Sequence, residues 1–295
     1  MALIGCKARA LMTAWAAGCL LVVAARAAEL KPETVAAFDH YIQASEARMA
    51  EGLAEDRFLI LDGPPDGRRQ QVYAQVRQGQ IYIEELHTKE DGRSIRIPSG
   101  LIHDWAGVMF IRSATFAQTL AVLQDYENHK NIYKPSVRES KLLAHKGNEF
   151  KVYLQLYRKS LVTVVVNMNL DIQYTQPEKT RAMSRSYSTR IAELEHPGKP
   201  EERELPVGKD HGYIWRLYSY WRIEEKDDGV YVQVESIALS RSIPWVFAWL
   251  INPLTKSVPR EVLSHLLRAT RVAIHNGHTT LTTESAFRLT RFVAR

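Results

Sequence analysis

The stretch "SYWRIEEKDDGVYVQVESIALSR", Ser219–Arg241, decides how the rest of the chain is read. Two alternating runs flank Asp228-Gly229, a dipeptide suited to the positive φ angles of a tight hairpin turn. A loop at those two residues sets Ile223 opposite Val234, Trp221 opposite Ser236 and Ser219 opposite Ala238. The other face then pairs Arg222 with Glu235, Tyr220 with Ile237 and Tyr218 with Leu239. The first face, with Trp215, Leu217 and Ser240 in phase, mixes aromatic bulk with small residues. Protein interiors fill to crystal-like density. Such a mixture therefore either leaves room for a guest or accommodates a closely approaching helix.

Working backwards, "RAMSRSYSTRIAELE" (181–195) and the run from Val162 to Gln173 continue the strand signal. In the latter, Val162, Val164, Val166, Met168, Leu170 and Ile172 alternate with polar residues such as Asn167, Asn169 and Asp171, the mark of an antiparallel sheet with one wet face. Phe150, Val152, Leu154 and Leu156 repeat the pattern. Before them, "GLIHDWAGVMFI" (100–111) reads as a strand. Thr115 with Gln118 forms a capping box for a helical stretch through Phe116, Leu120 and Leu123.

At the N-terminal end, 32–53 is helical in period, with Val35, Phe38, Ile42 and Met49 on one stripe. The run "QVYAQVRQGQIYIEEL" reads as a hairpin turning at Gly79, so 28–98 is expected to be a small α+β appendage. Beyond Pro244 comes "IPWVFAWLINPL" (243–254), then Pro259 at the first position of a closing amphipathic helix striped by Val262, Leu266, Ala269 and Ala273. Residues 276–295 carry weak signals and form a tail.

Residues 1–27 have a basic start, an apolar core and Ala25-Arg26-Ala27 before a cleavage point, the pattern of a secretory signal. A periplasmic or secreted mature chain is expected to begin near Ala28. The leader holds Lys7, Arg9, Arg26 and no acid, so the net charge of +6 falls to +3 once it is removed. That balance does not point to nucleic acid or another polyanion. Both cysteines, Cys6 and Cys19, lie in the leader. The remainder has no disulfide, thiol nucleophile or cysteine metal site, and no cofactor motif.

A strand, a helical segment, a run of antiparallel strands and one long C-terminal helix resemble the START-like helix-grip superfamily, which includes polyketide cyclase/dehydrase-like proteins. The texture of "DYENHKNIYKPSVRESKLL", "SYSTRIAELE" and "RLYSYWRIEEKDDGVYVQVESIALSRSIP" carries that likeness over about 100–275. It implies an α+β fold at 99–275, a curved antiparallel sheet wrapped around the C-terminal helix, with a cavity between them for a lipid or other hydrophobic molecule. On this reading Trp215, Ser219, Trp221 and Ser236 line the cavity, and Trp105, Tyr126 and Tyr133 are candidates for its mouth. Arg190 or Arg185 is a candidate for an acidic head group. Trp245, Phe247 and Trp249 either pack on the sheet or touch a membrane during transfer.

Signatures of metalloprotease, nucleophile-elbow, P-loop and dinucleotide chemistry are absent from the sequence. His103 and Asp104, adjacent on a strand, point to opposite faces and do not pair. His129 is expected as a capping or surface residue. Non-catalytic carriage of a hydrophobic molecule therefore leads. A cyclase- or hydrolase-like enzyme in the same cavity is the alternative, distinguished by a pocket histidine bonded to a carboxylate.

Overall fold

The structure is a computed structural model that describes residues 28–159, 162–242 and 245–277, with side chains from 257 onward in the last segment. The expected leader and residues 278–295 of the tail lie outside the described residues. The opening hairpin is present as strands β7 (Arg216–Lys226) and β8 (Gly229–Arg241), but its register differs from the expected one. Ser219 pairs with Ser236, Trp221 with Val234, Ile223 with Val232 and Lys226 with Gly229. The two loop residues are thus Asp227 and Asp228, with φ of 56° and 58°. Aspartate tolerates this left-handed region, as a two-residue turn of this class requires. Gly229 is needed for another reason. A Cβ there would sit 2.4 Å from the Ile111 carbonyl oxygen and 2.6 Å from the Phe110 ring. The change moves every partner by two residues, and a shift of two preserves which face each side chain takes.

Six further strands complete the sheet: β1 (Tyr82–Glu85), β2 (Gly100–Arg112), β3 (Val137–Lys146), β4 (Glu149–Lys159), β5 (Thr163–Glu178) and β6 (Arg181–Glu195). Their antiparallel order is β1-β2-β8-β7-β6-β5-β4-β3, with the short strand Arg203–Glu204 added beside β6. Register shifts within β3, and between β5 and β6 at Asn169/Leu170 and Thr175/Glu178, bend the ladder. On the inner face the alternating residues of β5 (Val166, Met168, Leu170, Ile172) join Val152, Ile191, Ile223, Val232 and Met109 in the largest core cluster.

Helices α1 (Pro32–Ala54), α2 (Asp66–Arg77), α3 (Phe116–Gln124) and α4 (Trp245–His275) pack on this sheet. The capping box at Thr115 and Gln118 forms as expected and starts α3. Helix α4 contributes Leu263, Leu267, Ala273 and Ile274 to the inner cluster. It lies so close over β2 that a Cβ on Gly107 would meet Leu267 at 2.8 Å. This is the helix-grip arrangement. Helix α4 begins at Trp245 and runs through Pro253 and Pro259, so Pro259 is internal and not the first helical position.

The N-terminal expectation needs a larger correction. Residues 66–77 form α2, not the first arm of a hairpin, because Val72 and Val76 are one helical turn apart and both buried. Nor do 28–98 have a core of their own. Phe38, Tyr41, Ile42 and Met49 of α1 cluster with Trp215, Tyr220, Ile237 and Leu239, while Val72 and Val76 cluster with Val108, Phe110 and Tyr231. The N-terminal helices thus cover the sheet's outer face, while α4 covers part of the inner face of β2, β8 and β7.

Candidate functional site

Strand alternation assigns the inner face directly. From β7 it carries Leu217, Ser219, Trp221 and Ile223; from β8, Val232, Val234, Ser236, Ala238 and Ser240; from β2, His103 and Trp105. Ile223, Val232 and Val234 are buried under the grip, whereas Leu217, Ser219, Trp221, Ser236, Ala238 and His103 are only half-buried. The outer surface of the same strands is closed by α1. The inner surface therefore has a closed part, under the described half of α4, and an accessible part formed by the small residues and Trp221. On β6 the same face continues as Ser184, Ser186 and Ser188, opposite Trp221, Ser219 and Leu217.

Four of the expected binding residues, Trp105, Ser219, Trp221 and Ser236, come together here. Trp105 stands directly across from Ser236. Tyr126 and Tyr133 are buried beyond the strands. The Tyr126 hydroxyl lies 2.9 Å from that of Tyr174, and the Tyr133 hydroxyl lies 3.1 Å from Thr270 Oγ1 on α4. Burial raises all three phenols, that of Tyr174 to about 12. They form the floor of one end of the grip, not an exposed mouth.

Two expected residues are elsewhere. Trp215 precedes β7, packs into the outer cluster with Phe38 and donates Nε1–H to Asp210 Oδ1 at 2.9 Å. The break in alternation before Arg216 places it there. Arg190 follows the extra residue of the β5–β6 bulge and also faces outward, bonded to Glu204. Arg185 reaches Glu46 of α1. The strand pattern alone did not reveal these irregularities. The Arg222–Glu235 cross-strand pair is replaced as well. Arg222 stands opposite Gln233 and donates Nη1–H to the Phe58 carbonyl at 2.6 Å, while Glu235 takes Arg48 of α1.

His103 and Asp104 diverge as expected. His103 Nε2 lies 3.0 Å from Ser240 Oγ, and burial lowers its pKa, so the ring is neutral. Asp104 accepts from the Tyr41 hydroxyl at 2.9 Å on the outer face. His129 is not a surface residue. It is buried between the rings of Tyr126 and Tyr133, with centroids 4.9 Å from each, and burial lowers its pKa to about 4. One pair escaped the sequence reading. His211 Nδ1 is 3.0 Å from Glu193 Oε2, whose carboxylate also accepts the His211 and Tyr213 backbone N–H groups. Eighteen residues separate them, across a polar loop, and no spacing rule signals such a contact.

Buried Asp104 supplies a pH test of the outer face. Burial, then the neighbouring Glu235 carboxyl, raises its pKa from 3.8 to about 7, with Tyr41, Arg48 and Thr88 opposing. Between these values the folded chain binds more protons than the unfolded chain, so this group's contribution falls as pH rises. An amide in its place cannot ionise. In urea titrations the Asp104→Asn variant should gain on the parent by on the order of 2 kcal/mol from about pH 5 to about pH 8. Parallel profiles would show that Asp104 does not titrate there.

Among the described residues, no group of three side chains is placed to hold a metal ion, and no helix is long and apolar enough to cross a membrane. Trp245, Phe247 and Trp249 begin α4, but their side chains lie outside the described residues. A surface hollow of about 490 Å³ lies on the outer side, between the start of α1 and Val207–Lys209, remote from the inner face.

No protein-family model and no curated protein matches the chain. Solved structures do. The STAR-related lipid transfer protein of Xanthomonas axonopodis (fragment 25–204) is 19% identical, with a TM-score of 0.42 over 61% of this chain and 96% of that one. Human STARD10 is 13% identical, with a TM-score of 0.40 over 70% of this chain and 80% of that one. The Zhui aromatase/cyclase of Streptomyces sp. R1128 is 12% identical, with a TM-score of 0.40 over 62% and 99%.

Proposed function

We propose that the chain binds and carries a hydrophobic small molecule or lipid between the inner face of its sheet and α4. One observation carries this reading. The same strands are sealed on the outside by α1, yet present Leu217, Ser219, Trp221, Ser236 and Ala238 half-buried on the inside. A sheet that packed solidly on both faces would bury those positions as fully as Ile223 and Val234. An accessible apolar wall with a few hydroxyls suits a largely apolar guest. The expected leader supports carriage in the periplasm or outside the cell, with membrane contact through the aromatic start of α4 as the route of transfer.

The enzyme alternative has one feature in its favour, the Glu193-oriented His211, since a carboxylate on Nδ1 is the orientation of a general base. Glu193 closes the end of the inner face beside Val166, away from the serine-rich rows. Carriage therefore remains the preferred reading.

Protein purified from its own host, extracted with organic solvent and analysed by mass spectrometry, should yield a stoichiometric apolar molecule. Intact mass of the same sample should show a chain starting near Ala28. Empty protein that also takes up no apolar probe would refute carriage. Chemical conversion of the recovered molecule on incubation would favour catalysis.

A further inference from the structure

We propose that Arg158, at the end of the inner β4 row, receives the oxyanion head group of the carried molecule, a long-chain carboxylate or phosphate monoester, in place of Glu261 on α4. The inference rests on the carrier reading and narrows it to one ligand chemistry. It moves the head-group role expected of Arg185 or Arg190 to an arginine that does face inward.

Strand alternation fixes that direction. Residues Glu149–Lys159 pair with β5 without interruption, so Arg158 is in phase with Phe150, Val152, Leu154 and Leu156 of the inner cluster and stands opposite Val164. Leu154, Leu156 and Val164 are half-buried, as are Leu217 and Trp221 of the accessible part. The ladder carries Ser219 across Ser186 and Ile172 to Phe150, so one apolar β4 row leads from the accessible part of the face to a guanidinium. An amphiphile lying along that row sets its apolar body on the leucines and its head at Arg158. Acids of the other inner rows do not pair with Arg158. Glu193 and Glu195 hold His211 and Arg203, Glu225 accepts the Phe116 N–H, and Glu85 stands beside Trp105 on the edge strand β1.

A second observation points to a ligand's head group. Arg158 Nη2 donates to Glu261 Oε2 at 2.6 Å, but Nε, on the same edge of the guanidinium, is shut off from water and has no hydrogen-bond partner. A buried donor left unpaired costs stability in the empty protein. That edge matches two oxygens of one carboxylate or phosphate, and Glu261 meets it with one. The Glu261 side chain is 63% exposed, so it is weakly held and returns to water at little cost when another anion takes the edge. The Nε atoms of Arg48, Arg57 and Arg271 are unpartnered too. Arg48 belongs to α1 on the outer side, Arg57 pairs with Glu55, and Arg271 donates to the Gly79 carbonyl. Arg158 differs from these three in standing on an inner strand row.

The test uses the full mature chain and three pyrene-labelled probes of one chain length: a carboxylate, a phosphate monoester and an alcohol. It is run at about pH 9, where both anions are ionised. At least one anion should bind about tenfold more tightly than the alcohol, and which of the two does so identifies the head group. An alcohol bound as tightly as both anions overturns the inference while leaving carriage intact. Failure of all three probes overturns carriage, and this inference with it. In the Arg158→Gln variant the ratio of anion to alcohol affinity should fall to near one. In Glu261→Gln the anion affinity should instead rise several-fold, because the competing carboxylate is gone. An unchanged ratio in Arg158→Gln, or anion binding that falls in both variants, would show that the pair only ties α4 to β4 and would refute the head-group role.

Discussion

Replacing Glu235 with alanine is expected to destabilise the folded chain by about 3–5 kcal/mol, the cost of leaving a buried charge without its partner. Glu235 is 2% exposed and accepts from Arg48 of α1. It also faces the buried guanidinium of Arg222, whose pKa burial lowers and Glu235 does most to restore. Removal strands Arg222 beneath α1 with the Phe58 carbonyl as its hydrogen-bond acceptor. Truncating the other side of the contact should also be costly. Arg48→Ala leaves the Glu235 carboxylate, 2% exposed, without its hydrogen-bond donor, a loss of about 1–3 kcal/mol that the nearby Arg222 charge keeps below that of Glu235→Ala. The double variant Glu235→Leu with Arg222→Met should recover most of the loss, because apolar groups of similar volume avoid the desolvation penalty. Urea denaturation of the set decides the matter. A loss below about 1 kcal/mol for Glu235→Ala would mean that water reaches this cluster and α1 does not seal it.

That cluster was illegible in the sequence, for a physical reason. Strand alternation says which residues share a face, and Tyr218, Tyr220, Arg222 and Glu235 were correctly placed together. It does not say what covers the face. A row of arginine and glutamate looks like a solvated surface until α1, far away in the chain, lays Arg48 across it. The turn shows the complementary case. Asp227, Asp228 and Gly229 all suit a hairpin, and local propensity cannot choose between two loops that differ by one residue. The contact of Gly229 with Phe110 and Ile111 on β2 makes the choice. The inner face survived that error because the side-chain period is two, and partners moved by two. Trp215 and Arg190 were misplaced because each lies past an irregularity, where counting by twos stops being valid.

Ser236→Trp is expected to abolish uptake of a fluorescent fatty-acid probe while costing less than about 1 kcal/mol of stability, below the typical 1–3 kcal/mol of overpacking a filled core. Ser236 stands at the centre of the accessible part of the inner face, flanked by Ser219 on β7 and Trp105 on β2. It is only half-buried, unlike Val234 two residues along the same face, which is 1% exposed. The contrast between these neighbours gives the experiment its control. Val234→Trp enlarges a side chain by less but does so under the closed part of the grip, beside Ile223 and Val232. It should be strongly destabilising. If space exists at Ser236, the indole takes the volume that a guest would occupy, and the wall of Trp221 and Leu217 packs against it without rearrangement. The paired reading of melting temperature and probe binding separates the possibilities. A large drop in stability with binding retained would mean that α4 closes over Ser236 as tightly as over Val234. The small residues would then serve the approach of the helix, and the carrier reading would lose its site.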